Sequence, residues 1–119
     1  MRKNLTRKER IGKKDISKVF ELSDSKKNSC IRLLYCRNGI TWNRIAVVLR
    51  KGYGKAVERN RAKRIIKEIY RELKNNLPEG YDLIFLLTGK ITDYQSASNI
   101  IVSLLRKAGL MDVAGKIFQ

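Results

Sequence analysis

The residues best suited to chemistry in this sequence form a run of cations over positions 50–71. Nine basic residues and two acids give this run a net charge of +7. In a helix, Arg59, Lys63 and Lys67 would lie on one face with about 6 Å between successive positions, near the separation of adjacent phosphates. A solvated surface helix is the alternative, but its two acids would leave most of these cations unpaired. The run therefore predicts a surface that binds a nucleic-acid backbone.

Groups for catalysis by the protein itself are scarce. The chain has no histidine, which removes the commonest general base and the commonest metal ligand. A phosphoryl-transfer metal needs clustered carboxylates, whereas those of this chain are scattered over predicted helix, loop and strand. The carboxylates in question are Glu58, Glu68, Glu72, Glu79, Asp82 and Asp93. We therefore expect no catalytic residue and no metal site in the protein, and surface ion pairs as the role of these acids.

The overall composition also indicates a polyanionic partner. The chain has 119 residues, the length of one domain, and a formal net charge of +16. Nucleic acid is the first candidate partner, and an acidic membrane surface is the second. The membrane alternative fails because the basic helix is expected to turn its apolar face into a core. No apolar run reaches the length of a membrane span and no signal peptide is recognisable, so we expect a soluble, cytoplasmic protein.

A basic arm is predicted to precede a single domain. Residues 1–14 carry seven basic residues and one acid, with few large apolar side chains. Such a segment is typical of an irregular, flexible arm that binds phosphates. Residues 15–119 are expected to form one RNA-binding α+β domain.

Apolar periodicity predicts the order helix, hairpin, helix, strand, helix for that domain. The expected elements are a helix over 15–22, a polar loop over 23–29, strands over 31–36 and 44–49, a long helix over 55–75, a strand over 81–87 and a last helix capped by Thr92 or Asp93. Asn38-Gly39 is a strong hairpin signal and predicts that the first two strands pair with each other. The second strand is apolar on both faces, which predicts a central position in the sheet.

The long helix is expected to have an apolar face and a cationic face. At helical spacing the apolar face comprises Ala62, Ile65, Ile66, Ile69 and Leu73. The adjacent and opposite arc comprises Arg59, Asn60, Lys63, Arg64, Lys67, Tyr70 and Arg71. Tyr70 could contact RNA there or simply be exposed. Arg61 falls outside this arc, so a second contact surface or a structural role is open for it.

Residues 56–68 resemble the signature helix of the bacterial ribonuclease P protein subunit. Their sequence is Ala-Val-Glu-Arg-Asn-Arg-Ala-Lys-Arg-Ile-Ile-Lys-Glu, and the family pattern is Ala-Val-x-Arg-Asn-Arg-x-Lys-Arg with a basic residue three positions later. The resemblance covers nearly the whole chain. It implies the element order αβββαβα, a fold similar to the second domain of a small-subunit ribosomal protein, and a left-handed βαβ crossover. It thus implies three strands before the long helix, where periodicity predicts two.

The same resemblance implies a function. Family members belong to a ribonucleoprotein endoribonuclease that removes the 5′ leader from precursor transfer RNA, and the RNA subunit performs the hydrolysis with Mg²⁺ that it mainly binds itself. The implied partners are the catalytic RNA and precursor tRNA, with one monomeric protein per RNA. The residues implied to lie against the RNA subunit are Arg59, Asn60, Arg61, Lys63, Arg64, Lys67 and Arg71.

A cleft between the first helix and the sheet is implied to hold the single-stranded leader. Its implied residues are Ile16, Phe20, Leu33 and Tyr35, with Lys63 and Lys67 at its edge. Ring faces and cations together suit a single strand, because neither reads the base sequence strongly. Core packing remains equally open for Phe20. Ile16 departs from the family, which usually has Phe there, and this removes one stacking surface.

Two other functions are compatible with parts of the pattern. A module that binds double-stranded RNA also runs from helix to strands to helix, but the strand over 81–87 and the final helix argue against it. A protein nuclease with its own metal site would need the scattered carboxylates to meet in space. Cleavage by the purified protein without RNA would favour the nuclease.

Overall fold

The computed structural model describes residues 6–111 and shows three α-helices with a four-stranded sheet. The elements are α1 (Lys13–Leu22), β1 (Asp24–Lys27), β2 (Ile31–Arg37), β3 (Arg44–Leu49), α2 (Ala56–Leu73), β4 (Tyr81–Leu87) and α3 (Tyr94–Lys107). Short 3₁₀ helices cover Arg7–Glu9 and Lys74–Asn76. The fold is a small α+β domain in the predicted order αβββαβα, with the third early strand that the resemblance implies.

The sheet has the order β1-β2-β4-β3, so the predicted hairpin between β2 and β3 is wrong. Both strands pair instead with β4, which runs antiparallel to β2 and parallel to β3. Asn38-Gly39 still forms a tight turn, with φ of 76° at Gly39 and a hydrogen bond from the Ile40 amide to Asn38 Oδ1. The turn signal is local and does not determine which strand comes to lie beside β2. β3 is consequently at an edge of the sheet and not central.

Each face of the sheet carries its own apolar core. Ile31 and Leu33 of β2 pack with α2 and α3, whereas Leu34 packs with Val19 of α1 and Ile84 of β4. β4 contributes buried residues to both cores, which accounts for its central place. α1 therefore lies on one face of the sheet, and α2 and α3 lie on the other.

The apolar face predicted for the long helix is confirmed. Ala62, Ile66, Ile69 and Leu73 are buried, and Ile65 is half-buried. Tyr70 is buried as well, at 3% exposure, so its predicted place on the cationic arc is wrong. Burial is the main cause that raises the pKa of Tyr70, to about 12. This tyrosine is therefore part of the core.

Residues 7–14 form a 3₁₀ turn, a bridge to β3 and the start of α1, so the prediction of an irregular arm over 1–14 is wrong for this stretch. The Ile11 amide donates to the Ile45 carbonyl at 2.9 Å, and the Ile11 side chain is buried. Trp42 Nε1 donates to the Lys8 carbonyl at 2.8 Å, and α1 already begins at Lys13. All these contacts join residues far apart in sequence, which local composition does not reveal. Residues 1–5 lie outside the described part of the chain.

β1 occupies part of the stretch that was predicted as a polar loop. Its four residues are all exposed and pair antiparallel with β2, from Asp24 opposite Tyr35 to Lys27 opposite Arg32. A short edge strand without an apolar face has no alternation for a pattern to detect. The prediction was wrong for this reason.

Side chains form hydrogen bonds with backbone amides at the N-termini of α2 and α3. Asp93 Oδ2 accepts a hydrogen bond from the Ser96 amide at 2.9 Å, which confirms Asp93 as the cap of α3. At the start of α2, Glu58 Oε1 accepts from the Lys55 amide at 3.0 Å. That hydrogen bond, and then the charge of Lys90, lower the pKa of Glu58.

Candidate nucleic-acid interface

The cationic face of α2 lies along the β3 edge of the sheet. α2 connects the parallel strands β3 and β4, so its buried face packs against the sheet and its flank follows the edge strand. Arg59 and Lys63 line a groove of about 490 Å³ there, together with residues 47–54. Lys67 follows one turn later on the same flank, because positions four apart share a helix face. The predicted face of Arg59, Lys63 and Lys67 is thus presented as a single row.

This row is not neutralised by acids. Within residues 6–111, none of the three side chains forms an ion pair with a carboxylate. Partial burial, and then the charges of Arg10, Lys63 and Arg71, lower the pKa of Lys67. Arg10 is brought close by its bridge to Ile45 on the β3 edge. These like charges repel one another, and a bound polyanion would relieve that repulsion.

The other residues implied to contact RNA divide between different places. Arg71 is mostly buried, and its guanidinium donates to Glu68 Oε1 at 2.7 Å. Arg61 and Arg64 are exposed, but they line a separate groove between α2 and the start of α3. Asn60 is exposed. Arg61 was predicted outside the arc of Arg59 and Lys63, but Arg64 was predicted on it and instead shares a groove with Arg61. The exposed cations of α2 therefore lie on two surfaces.

The structure does not bring together the four residues implied for the leader cleft. Ile16 and Phe20 pack on the α1 side of the sheet, whereas Leu33 and Tyr35 pack on the side of α2 and α3. Leu33 is fully buried. Successive residues of a strand point to opposite faces, so an assignment displaced by one residue places a side chain on the wrong side. The prediction is wrong for Leu33 and Tyr35 as neighbours of α1.

Other half-buried apolar residues line the sheet beside Ile16 and Phe20. They are Cys36 of β2, Ala46 and Val48 of β3, and Leu86 of β4. Sequence reasoning missed these four because both faces of β2 and β3 are apolar, and alternation alone does not tell which face meets α1. Cys36 lies two residues after Leu34, so the two side chains point to the same face of β2. Because Leu34 is buried under α1, this spacing is the signal that could have revealed that face.

The half-buried apolar surface beside α1 and the cationic row meet at the β3 edge. Val48 faces the α1 side, yet it also lines the groove that Arg59 and Lys63 share. A strand lying across the half-buried apolar surface would therefore reach these cations at the edge of the sheet. Apolar contact for bases combined with cations for the backbone is the arrangement that binds single-stranded nucleic acid.

Several acidic residues make structural contacts. Asp82 is 2% exposed and accepts from Arg44 Nε at 2.8 Å, from Arg44 Nη2 at 2.6 Å and from Asn38 Nδ2 at 2.9 Å. Glu72 Oε1 accepts from the Tyr94 hydroxyl at 2.9 Å. Over residues 6–111 there is no group of three or more Cys, Asp or Glu side chains placed to hold a metal ion.

The chain matches a known protein family over nearly its whole length. The family model described as Ribonuclease P matches residues 5–109. The chain belongs to the ribonuclease P protein family. It is 37% identical over 113 residues to the ribonuclease P protein component of Clostridium botulinum, covering 92% of this chain and 98% of that protein. The component from Thermotoga petrophila is 28% identical over 114 residues, covering 90% and 97%.

Solved ribonuclease P proteins share the fold. A mutant of the Staphylococcus aureus RNase P protein superposes with a TM-score of 0.80 at 25% identity, covering 87% of this chain and 91% of that one. The RNase P protein from Thermotoga maritima gives 0.72 at 26% identity, covering 89% and 97%.

Family membership implies a role in endonucleolytic tRNA processing, in association with ribonuclease P RNA and precursor tRNA. None of the helices in the described part of this ribonuclease P family member is both long and apolar enough to span a membrane.

Proposed function

We propose that this chain is the RNA-binding subunit of ribonuclease P, which contacts the RNA subunit through α2 and the 5′ leader of precursor tRNA through the cleft beside α1. The observation that carries the proposal is the row of Arg59, Lys63 and Lys67, which has no carboxylate partner within residues 6–111 and borders a half-buried apolar surface. Family membership supplies the identity of the RNAs.

The contact with the RNA subunit extends over both cationic surfaces of α2. Arg59, Lys63 and Lys67 neutralise successive phosphates along one flank. Asn60, Arg61 and Arg64 lie exposed beyond that flank and meet a second part of the same RNA. Arg71 acts indirectly, because its guanidinium is paired with Glu68.

The leader lies in the cleft between α1 and the sheet. Phe20 offers a half-exposed ring, and Ile16, Cys36, Ala46, Val48 and Leu86 complete an apolar surface. Bases can pack against such a surface without sequence preference, as an enzyme that acts on many precursors requires. Lys63 and Lys67 lie at the β3 edge between this surface and the contact with the RNA subunit, and each ammonium group has three donors with which to bind phosphates of both RNAs.

Hydrolysis is performed by the RNA subunit in this proposal. Among the described residues no three Cys, Asp or Glu side chains are placed to hold a metal ion. In this proposal the RNA subunit mainly binds the Mg²⁺, and the protein contributes binding and orientation as a monomer with one copy per RNA.

Removal of one cation from the α2 row tests the contact with RNA. Lys63→Ala should weaken binding of the RNA subunit and make the plot of log affinity against log salt concentration shallower by about 0.7–0.9, because one phosphate contact is lost. Lys26→Ala removes the same charge from β1, at the opposite edge of the sheet. Its slope should equal that of the wild type. Equal changes of slope in both variants would reject a specific contact at the α2 row.

The leader cleft is tested by comparing precursor with mature tRNA. Phe20→Leu keeps apolar bulk but removes the ring, so affinity of the holoenzyme for precursor should fall by roughly 3–10-fold while affinity for mature tRNA is unchanged. Tyr35→Leu makes a similar change on the opposite face of the sheet and should not discriminate between the two RNAs. Discrimination by Tyr35→Leu and none by Phe20→Leu would place the leader elsewhere.

A further inference from the structure

A second groove lies between α2 and the start of α3, on the face of the sheet opposite to α1. It has a volume of about 560 Å³ and opens to solvent. Its lining residues are Arg61, Arg64, Ile65, Glu68, Asp93 and Tyr94.

The groove combines cations with an apolar wall. Arg61 and Arg64 are exposed at its rim, one turn apart on α2. Ile65 and Tyr94 are half-buried and pack against the main core. The Tyr94 hydroxyl donates to Glu72 Oε1 at 2.9 Å, which fixes the ring in the wall. If a nucleotide placed its phosphate on Arg61 and Arg64, its base could therefore reach the aromatic ring of Tyr94.

Carboxylates in the same groove argue against a site for phosphate alone. Asp93 uses Oδ2 to cap α3, and Glu68 Oε1 accepts from Arg71. A carboxylate accepts several hydrogen bonds, so Asp93 can accept others besides that from the Ser96 amide. Acids repel a bare phosphate, but they accept the N–H groups on the edge of a nucleobase. The mixed lining therefore fits a whole nucleotide better than it fits a backbone.

We propose that this groove holds one unpaired nucleotide of the ribonuclease P RNA subunit. Its phosphate lies on Arg61 and Arg64, its base packs against Ile65 and Tyr94, and Asp93 accepts hydrogen bonds from the base edge. Guanine is the best match, because its N1–H and N2–H₂ donors lie side by side opposite a carboxylate. The assignment to the RNA subunit rests on the proposed function, since the leader cleft is on the other face of the sheet.

Asp93→Asn separates this proposal from general electrostatics. Asparagine caps a helix as well as aspartate does, so α3 should begin normally. If the acid merely repels RNA, removal of its charge tightens binding of the RNA subunit. If Asp93 accepts hydrogen bonds from a base, binding weakens by about tenfold, because a charged acceptor is lost. Unchanged or tighter binding overturns the proposal.

Glu79→Gln is the matched control. Glu79 is exposed and lies outside the groove, so its loss of charge should leave binding unchanged or slightly tighter. Equal weakening by both variants overturns a contact specific to the groove. If the wild-type chain itself fails to bind the RNA subunit, the proposed function is rejected. Titration with nucleoside monophosphates then still decides whether the groove binds a nucleotide.

Nucleoside monophosphates probe the groove without any RNA subunit. In ¹⁵N NMR titrations, GMP should shift the backbone amides of Arg61, Arg64 and Tyr94 at lower concentration than AMP, CMP or UMP. Inorganic phosphate should shift the arginines without Tyr94. Asp93→Asn should abolish the preference for GMP. Equal responses to the four nucleotides and to phosphate would show a simple anion site and would overturn the proposal.

Discussion

Glu9 ties the segment before α1 to the end of α2. Its carboxylate accepts from Lys74 Nζ at 2.9 Å and from the Thr6 amide at 2.9 Å. Burial by itself would raise the pKa of Glu9, but these hydrogen bonds and the charge of Lys74 outweigh it, and the net effect is a lowered pKa. A lowered pKa means that the folded contact favours the ionised acid. Its stabilisation is complete above the ordinary value of 4.5 and is lost as the pH falls through the lowered value.

Acid should therefore release this segment. Trp42 is the single tryptophan of the chain, its Nε1 donates to the Lys8 carbonyl, and the Lys8 ammonium lies 4.8 Å from the ring centroid. Below about pH 4.5 its fluorescence should change while far-ultraviolet circular dichroism still reports folded helices. In Glu9→Gln this acid transition should be absent. An identical transition in that variant would assign the titration to another group.

At the scale of elements, the alternation of β2 decides which side chains lie beside α1, where we propose that the leader binds. Leu33 and Tyr35 belong to the core under α2 and α3, and Cys36 belongs to the cleft beside α1. The position of α2 is decided by the parallel pairing of β3 with β4, which carries the cationic flank to the sheet edge. The functional surfaces therefore depend on strand order as much as on the signature helix.

The turn that leads into β4 sets this order. Gly80 has φ of 91°, its carbonyl accepts from the Asn38 amide at 2.9 Å, and a Cβ there would lie 3.1 Å from the Ile40 carbonyl oxygen. Gly39 also has positive φ, but a Cβ there would meet nothing within 4 Å. Substitution of Gly39 therefore tests the positive φ alone, whereas substitution of Gly80 tests the positive φ together with a close contact.

Alanine should be tolerated less well at Gly80 than at Gly39. We expect Gly39→Ala to lower the free energy of unfolding by about 1–2 kcal/mol through its positive φ alone. Gly80→Ala should lower it by about 2–4 kcal/mol, because the carbonyl must also move. Urea unfolding monitored by circular dichroism measures both values. A smaller loss of unfolding free energy for Gly80→Ala than for Gly39→Ala would mean that the loop around Ile40 moves at little energetic cost.

At the scale of the whole molecule, a net charge of +16 makes the free protein repel itself. Ion pairs relieve little of this repulsion, because the 27 basic residues of the chain far outnumber its 11 acids. An RNA partner that neutralises the row on α2 should stabilise the fold as well as bind it.

Salt should therefore raise the melting temperature of the isolated chain. Raising NaCl from 20 to about 300 mM shortens the screening length from about 20 Å to about 6 Å and weakens the mutual repulsion of the cations. We expect a clear rise of Tm in calorimetry, and a smaller rise for the variant Lys26→Gln with Lys27→Gln, which carries less charge. A fall of Tm with salt would show that ion pairs, rather than repulsion, dominate the electrostatics.

The sequence by itself determined the elements with strong periodicity, the charge and the family. The apolar face of α2, the limits of β4 and the cap of α3 follow from contacts within a few residues. The ordered cations of residues 56–68 pointed to the family whose model matches residues 5–109. These features are local, so a sequence pattern detects them.

Only the tertiary structure decided the strand order, the face to which each β2 side chain belongs, and the attachment of the segment before α1. Each of these depends on partners distant in sequence: β4 separates β2 from β3, and Ile45 anchors Ile11. Because β2 and β3 are apolar on both faces, a pattern of alternation is the same whichever face meets α1. Packing against α1, α2 and α3 removes that ambiguity, and it decides where the half-buried apolar surface beside α1 and the two cationic surfaces of α2 lie.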